Sequence, residues 1–281
     1  INKEEIKVRD DNGNLQKKKI FLSFNNQENN NGLSFLKKVE CNSSKKIICL
    51  IIRDGDYLKK AEPNIDFSYH NYRNTDPNSY IEGIKYLVEQ GYFVFRMGKF
   101  AKNKINFRHE NFYDYAVSNN RSDFLDIWLL NKSSFCISTG TGLDEVARLF
   151  LKPILFINFT NCRLFTSHTC GITYPKILYK NDKPLMLKDY FYKNNNFGKS
   201  KDFLDQNINI KMINNNNIEI KTIFREFDQM YKNNFLITEK NHQILQKRFI
   251  NDFKNCLEKD HDLKKYHVFM HNKGYMGNYF L

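Results

Sequence analysis

Short apolar runs alternate with segments of helical periodicity along the middle of the chain. The run from Ile47 to Ile52 is continuously apolar, which is typical of a strand buried on both faces of a parallel sheet. Residues 78–90 follow with apolar side chains at helical spacing and end at Gly91. Further strands are predicted at 92–95, 112–115, 135–138 and 154–157, and further helices at 122–131, with Ser122 as N-cap, and 142–151. This alternation predicts a doubly wound α/β fold with a parallel, Rossmann-type sheet.

The two ends of the chain are patterned differently from its middle. Residues 1–45 are polar, and the run from Asn29 to Gly32 predicts a loop. Residues 191–217 are rich in Asn and Lys and predict a loop or linker. Two amphipathic helices are predicted beyond it, at 218–231 and 239–257. We therefore divide the chain into an N-terminal remnant (1–45), a Rossmann-like domain (46–200) and a C-terminal helical segment (201–281).

Composition narrows the class of protein. With 281 residues, of which 41% are hydrophobic, the chain can build a core, which excludes wholesale disorder and fibrous folds. No apolar run is long enough to span a bilayer, and the first residues lack the basic-then-apolar pattern of a leader, so we expect no secretory signal. The six cysteines form no Cys-x-x-Cys pair and fit a reducing compartment. We expect a cytoplasmic protein.

The net charge of +13 calls for a partner hypothesis. A basic surface can serve nucleic acid, an anionic membrane or phosphorylated small molecules. A composition biased towards Lys and Asn, giving a solvated basic surface, accounts for the charge equally well.

Polar clusters follow three of the predicted strands: residues 53–57, 96–99 and 138–142. Because ligands of open α/β sheets bind beyond the carboxyl ends of the strands, the three clusters are expected on one rim. Guanidinium groups, hydroxyls and a glycine-containing loop before a helix suit a diphosphate. The loop lacks the Gly-Lys-Ser/Thr of a P-loop and the third glycine of G-x-G-x-x-G, so kinases, simple NTPases and NAD enzymes fit poorly.

Each cluster also has a purely structural interpretation. Arg53 could pair with Asp56, and the loop 138–142 could be an ordinary strand-to-helix turn. Asp123 could be a carboxylate that stabilises the first turn of its helix. The Asp54-Gly55-Asp56 sequence could instead hold a divalent metal ion that bridges a diphosphate.

The motifs together resemble a family of bacterial glycosyltransferases found among surface-polysaccharide genes. The matching residues are Arg53-Asp54 with Tyr57, Tyr72-Arg73-Asn74, Tyr80, Gly91-Tyr92, Arg96-Met97-Gly98, Asp114-Tyr115, Arg121 to Asp126, Ser138 to Gly142, Pro153 and Asn158. The resemblance covers residues 46–190 and extends more faintly to the end. Residues 53–56 are also remotely similar to the His-x-Arg-x-Gly-Asp motif of fucosyltransferase-like GT-B enzymes, with Ile51 in place of the His.

This resemblance implies the donor-binding half of a GT-B fold, with an N-terminal acceptor half that is short or truncated, since only residues 1–45 precede it. It implies transfer of a sugar from a GDP- or UDP-sugar to a glycan or lipid-linked acceptor, with no obligatory metal or other cofactor. The implied catalytic residues are Arg53, which stabilises the departing diphosphate, and Asp56, the first candidate for the general base. The implied donor-binding residues are Arg53, Arg96, Gly98, Arg121, Asp123, Ser138, Thr139, Gly140, Thr141 and Gly142; Tyr57, Arg73 and Asn74 are expected at the acceptor or in a lid.

Other functions remain as alternatives. A metal-dependent transferase would use Asp54 and Asp56, and a sugar-binding relative would lack catalysis. The charge suggests nucleic-acid binding, but the aromatic residues fall in core-like patterns and the basic residues form no reader motif, so we expect no nucleic-acid partner. The charge is compatible with a peripheral contact at the inner membrane.

Overall fold

The computed structural model describes residues 22–101, 103–160, 171–185, 210–236, 239–259 and 274–276. Its strands are β1 (Ile47–Ile51), β2 (Phe93–Met97), β3 (Phe112–Tyr113), β4 (Ser133–Ser138), β5 (Ile154–Phe159), β6 (Gly171–Pro175), β7 (Ile177–Lys180), β8 (Lys183–Pro184), β9 (Ile210–Ile213) and β10 (Gly274–Met276). The helices are α1 (Asn26–Lys38), α2 (Asp56–Ala61), α3 (Ile81–Glu89), α4 (Asp123–Lys132), α5 (Asp144–Leu149), α6 (Asn217–Lys232) and α7 (Lys240–Lys259). Short 3-10 turns form at Ser68–Arg73, Pro77–Tyr80 and Tyr115–Val117.

The main sheet has the strand order β10-β6-β5-β4-β1-β2-β3, and every neighbouring pair is parallel. From β3 to β6 this is the Rossmann order, in which the chain moves outwards from β1 in one direction and from β4 in the other. The predicted α/β fold with a parallel sheet is therefore confirmed. A small antiparallel sheet, β8-β7-β9, was not predicted.

The predicted strands and helices of the central region lie within a few residues of the observed ones. The Ser122 hydroxyl accepts a hydrogen bond from the Leu125 amide at 3.1 Å, which confirms the predicted N-cap of α4. All five residues of β1 are buried, as expected for a strand covered on both faces. Ile48 and Leu50 point into the core beneath α3 and α6, whereas Cys49 and Ile51 point into the core beneath α1, α4 and α5.

The prediction of a loop from Asn29 to Gly32 is wrong, because these residues lie inside α1. The helix begins with a capping box, in which the Asn25 side chain accepts from the Glu28 amide and the Glu28 carboxylate accepts from the Asn25 amide. Gly32 faces the Trp128 ring of α4. A helix with few apolar residues is thus held by its capping box, by the contact with Trp128 and by the buried side chains of Phe35 and Leu36.

Substituting Gly32 with alanine should destabilise the protein by about 1–3 kcal/mol, since overpacking of a filled core has this cost. An added Cβ would overlap the ring of the fully buried Trp128, so the ring or the helix would have to shift. Gly142→Ala is the matched control, because its Cβ would meet no atom within 4 Å. Urea unfolding of both variants checks the prediction, and equal midpoints would contradict it.

The predicted helix at 218–231 is confirmed as α6, which packs on α3 and the sheet. The buried Asp228 carboxylate accepts from the Tyr86 hydroxyl (2.8 Å), the Tyr92 hydroxyl (2.7 Å) and the Lys232 ammonium (2.7 Å). The two tyrosine contacts fix α6 against α3 and against the start of β2.

The prediction of a loop or linker at 191–217 is wrong in its C-terminal part, where β9 and the first residue of α6 lie. Residues 191–209 are outside the described residues. The predicted helix at 239–257 is confirmed as α7, while β10 adds a strand to the segment predicted as helical. Across the described ranges, no helix has both the length and the hydropathy needed to cross a membrane.

Candidate functional site

The carboxyl ends of β1 and β4 form the centre of the candidate site. The two strands are neighbours, and the chain leaves them in opposite directions, which opens a crevice between the loops that follow them. The Arg53 amide donates to the Thr139 hydroxyl at 3.0 Å, and the Thr139 amide donates to the Ile51 carbonyl at 3.1 Å. The first and third sequence clusters are therefore joined directly, as predicted.

A cavity of about 560 Å³ opens at this rim, within the usual size range of small-molecule sites. Apolar side chains from several elements line it: Leu58, Met97, Ile127, Leu143 and Val146. Of the residues predicted for the site, it is lined by Arg53, Tyr57, Gly98, Arg121, Asp123, Thr141 and Gly142. Asp56, Arg73, Asn74, Arg96, Ser138, Thr139 and Gly140 do not line it. The rim thus brings together about half of the predicted residues around one space.

Arg53 is the cation at the centre of this rim. Its Nε is buried without a hydrogen-bond partner, and no carboxylate of the described residues forms an ion pair with it. The pairing with Asp56 that the sequence left open is not present. Burial, together with the neighbouring Arg73 guanidinium, lowers the pKa of Arg53 to about 10, so the side chain is charged at neutral pH. An incompletely satisfied guanidinium in a cavity wall suits an anionic ligand.

Arg73 lies beside Arg53, and Lys176 lies beside Arg73. Arg73 Nη2 donates to the Gly140 carbonyl at 3.0 Å. Lys176, which directly follows β6 and is buried, donates from Nζ to the carbonyls of Tyr72 (2.7 Å) and Asn74 (2.9 Å). His70 lies near both arginines: its own burial and the positive charges of Arg73 and Arg53 lower the pKa of its imidazole. Sequence reasoning missed Lys176, since no strand was predicted before it.

Arg96 does not reach the cavity surface. Its side chain is fully buried; Nη1 donates to the Asn103 carbonyl at 2.5 Å and to the Asp114 carboxylate at 3.3 Å, and Nη2 lies 3.5 Å from Asp54 Oδ2. The guanidinium is therefore used inside the protein, where it holds Asp54 at the end of β1.

The Ser138–Gly142 loop is organised around one buried carboxylate. Asp144 Oδ2 accepts from the Ser138 hydroxyl at 2.5 Å and from the Thr141 amide at 2.6 Å. The Gly140 amide donates to Ser138 Oγ and the Leu143 amide to Thr141 Oγ1. These amides and hydroxyls are engaged within the loop, so its polar groups mainly shape the cavity wall.

Gly140 makes this loop possible. Its φ is +83°, and an added Cβ would lie 2.6 Å from the Phe159 ring. A side chain here would meet both backbone strain and a clash, because the left-handed region disfavours residues other than glycine.

Arg121 and two carboxylates form the opposite wall. The Arg121 guanidinium pairs with the exposed Asp123 and with the buried Asp126, at 2.5 Å from its Oδ2. Burial raises the pKa of Asp126. Asp126 lines the cavity, although the sequence analysis did not select it; its position three residues after Asp123 on the same helix face was the available signal.

The Asp54-Gly55-Asp56 sequence is not arranged as a metal site. The Asp56 amide donates to Asp54 Oδ1 at 3.2 Å, while Asp54 Oδ2 lies by Arg96. Within the part of the chain that the structure describes, no group of three or more His, Cys, Asp or Glu side chains could hold a metal ion.

An aromatic pair lies at the mouth of the cavity. The rings of Tyr57 and Phe100, both exposed, stack with centroids 6.3 Å apart, and the ammonium groups of Lys60 and Lys99 each lie 5.6 Å from the Phe100 centroid. A planar group of a ligand could stack here.

Asp144 should give the protein a specific pH dependence of stability. Burial raises its pKa from 3.8 to about 6, so the folded protein binds this proton more tightly than the unfolded chain. The stabilisation from the proton is complete below about pH 4 and is lost as the pH rises through 6. The loss should be on the order of 1–3 kcal/mol, at about 1.4 kcal/mol per pKa unit.

A comparison with Asp144→Asn isolates the contribution of the Asp144 carboxyl group to this pH dependence. The difference in unfolding free energy between wild type and variant should fall between pH 4.5 and pH 7, measured by urea unfolding. A difference that is constant over this range would show that Asp144 is already ionised throughout.

The chain matches no protein-family model, and neither a curated protein nor a solved structure shows significant similarity to it. The inference of function therefore depends on the site itself and on the sequence motifs.

Proposed function

We propose that the protein is a glycosyltransferase that binds a nucleoside diphosphate sugar, in the GDP or UDP class, at the rim formed by β1 and β4. The observation that carries the proposal is the position of Arg53: a charged, incompletely satisfied guanidinium in the wall of a cavity of about 560 Å³, at the point where the strand order reverses. Ligands of doubly wound sheets bind at this point.

The cavity offers different surfaces to different parts of such a ligand. Arg53 would contact the diphosphate and stabilise the negative charge that develops as it leaves. The apolar side chains at 58, 97, 127, 143 and 146 would contact the nucleoside or the sugar ring. Tyr57 and Phe100 would meet the part of the ligand or acceptor that reaches the mouth. These assignments agree with the sequence resemblance to GT-B glycosyltransferases, in which this rim is the donor side.

Two of the residues implied by the resemblance receive different roles in the proposal. Arg96 would position Asp54 rather than touch the donor, since it is fully buried and paired. Asp126 is better placed than Asp56 to meet a bound ligand, since it lines the cavity and Asp56 does not. The general base and the acceptor site would come from residues beyond this rim, as in a two-domain GT-B enzyme. We also expect a cytoplasmic enzyme in peripheral contact with the inner membrane.

Saturation-transfer difference NMR with a panel of UDP- and GDP-sugars, in the presence of EDTA, tests this function. We expect one nucleotide class to receive saturation on the protons of its base and on the protons of the sugar to be transferred. A protein that binds only the nucleotide would not need to contact that sugar. Signals that vanish with EDTA would favour a metal-dependent enzyme using Asp54 and Asp56. No signal from any nucleotide sugar would contradict the proposal.

A further inference from the structure

Lys176, at the end of β6, connects to two other segments at the carboxyl edge of the sheet. Its amide donates to the Phe159 carbonyl at 3.0 Å, which ties it to the end of β5. Its Nζ donates to the carbonyls of Tyr72 and Asn74, the residues on either side of Arg73. One buried ammonium therefore holds the backbone of the β1–α3 connection at two points.

The contacts continue from Arg73 back to the end of β5. Arg73 donates to the Gly140 carbonyl, and Gly140 lies against the Phe159 ring. The result is a closed circuit of contacts from the end of β5 through Lys176 and Arg73 to the loop after β4. Without the Lys176 bonds, two partly buried carbonyls would lose this donor, and the segment that carries Arg73 would lose its attachment to the end of β6.

We propose that Lys176 is a positioning residue, which holds residues 72–74 so that the Arg73 guanidinium lies on the Ser138–Gly142 loop beside Arg53 and strengthens anion binding there. The proposal rests on the proposed function, since it requires an anion to bind at Arg53. Lys176 acts through Arg73 and the backbone, and needs no contact with the ligand.

The charges around Lys176 make this role dependent on pH. Burial, reinforced by the Arg73 guanidinium, lowers the pKa of Lys176 to about 8. Arg73 is the charged neighbour that acts on Lys176, and Arg73 also acts on Arg53 and on His70. As Lys176 loses its proton above pH 8, one of three neighbouring positive charges disappears and the grip on residues 72–74 weakens. Anion affinity should then fall, by up to about tenfold per pH unit.

Inorganic pyrophosphate is the probe, with its dissociation constant measured by calorimetry from pH 6.5 to 9.5. The variants are Lys176→Arg, which keeps a charge that does not titrate in this range, and Lys176→Met; Lys211→Met, on an exposed lysine, is the control. The ratio of wild-type to Lys176→Arg affinity cancels the ionisation of pyrophosphate itself. We expect this ratio to fall above about pH 8, and Lys176→Met to bind at least about tenfold more weakly at pH 7.

A ratio that stays constant across the pH range would overturn the positioning role, as would a folded Lys176→Met variant with wild-type affinity. Should Lys176→Met fail to fold, the Lys176→Arg ratio still decides. Competition with nucleoside diphosphates separates the two proposals. The expected pH dependence without competition from any nucleotide would refute the proposed function alone, whereas competition with a constant ratio would refute the positioning role alone.

Discussion

Substituting Arg53 with alanine weakens binding of the nucleoside diphosphate by about 10- to 100-fold, since hydrogen bonds to charged groups contribute about 1.5–3 kcal/mol. The expected loss is large because Arg53 lines the cavity and has no carboxylate partner among the described residues that would compete with a ligand. The adjacent Arg73 is already bonded to the Gly140 carbonyl and cannot simply replace it.

Calorimetric titration of the wild type and the variant measures the effect. Lys59→Ala is the matched control, since Lys59 is an exposed cation of the neighbouring helix α2 that does not line the cavity. Removal of this charge should change the affinity less than threefold, as expected for a screened surface charge. Equal losses in both variants would mean that the protein attracts nucleotides through its overall charge alone.

Substituting Arg96 with methionine should have the largest effect on stability, a loss of about 3–5 kcal/mol, as is typical when one partner of a buried ion pair is removed. Arg96 is completely buried between Asp54 and Asp114, and both carboxylates would lose this cation. The Asn103 carbonyl would also lose its donor.

Urea unfolding checks this result, with Lys211→Met as a control on an exposed ion pair that should leave the midpoint unchanged. Adding Asp114→Asn to Arg96→Met should recover part of the loss, because it removes one of the two carboxylates that Arg96 pairs with. An Arg96→Met protein as stable as the wild type would show that the Arg96 network does not support the rim.

The central sheet was predictable because its signals are local. A continuous apolar run such as Ile47–Ile51 indicates burial on both faces of the sheet. Ser122 indicates the start of α4 because its hydroxyl can accept a hydrogen bond from an amide of the first helical turn. The convergence of Arg53 with the Ser138–Gly142 loop was also predictable, since the carboxyl ends of parallel strands share one edge.

The parts that escaped prediction depend on contacts between distant residues. Helix α1 is polar in composition and is held by Trp128, about a hundred positions away, and β6 becomes a strand by pairing with β5. The sequence shows that Arg96 and Lys176 are charged but not that both are buried, because burial is decided by which partners the fold supplies. For the same reason, Asp126 emerged as a cavity residue only once α4 was placed against the rim.

The most direct test of a nucleoside diphosphate site at this rim is thermal stabilisation of the protein by GDP, UDP, CDP, ADP and short oligonucleotides, each with and without EDTA. A ligand present at about 100 times its dissociation constant adds about 2.7 kcal/mol to the unfolding free energy, which is a readily measured rise in the midpoint. We predict a rise with GDP or UDP that EDTA does not change and that Arg53→Ala removes. A rise with oligonucleotides alone would contradict the account.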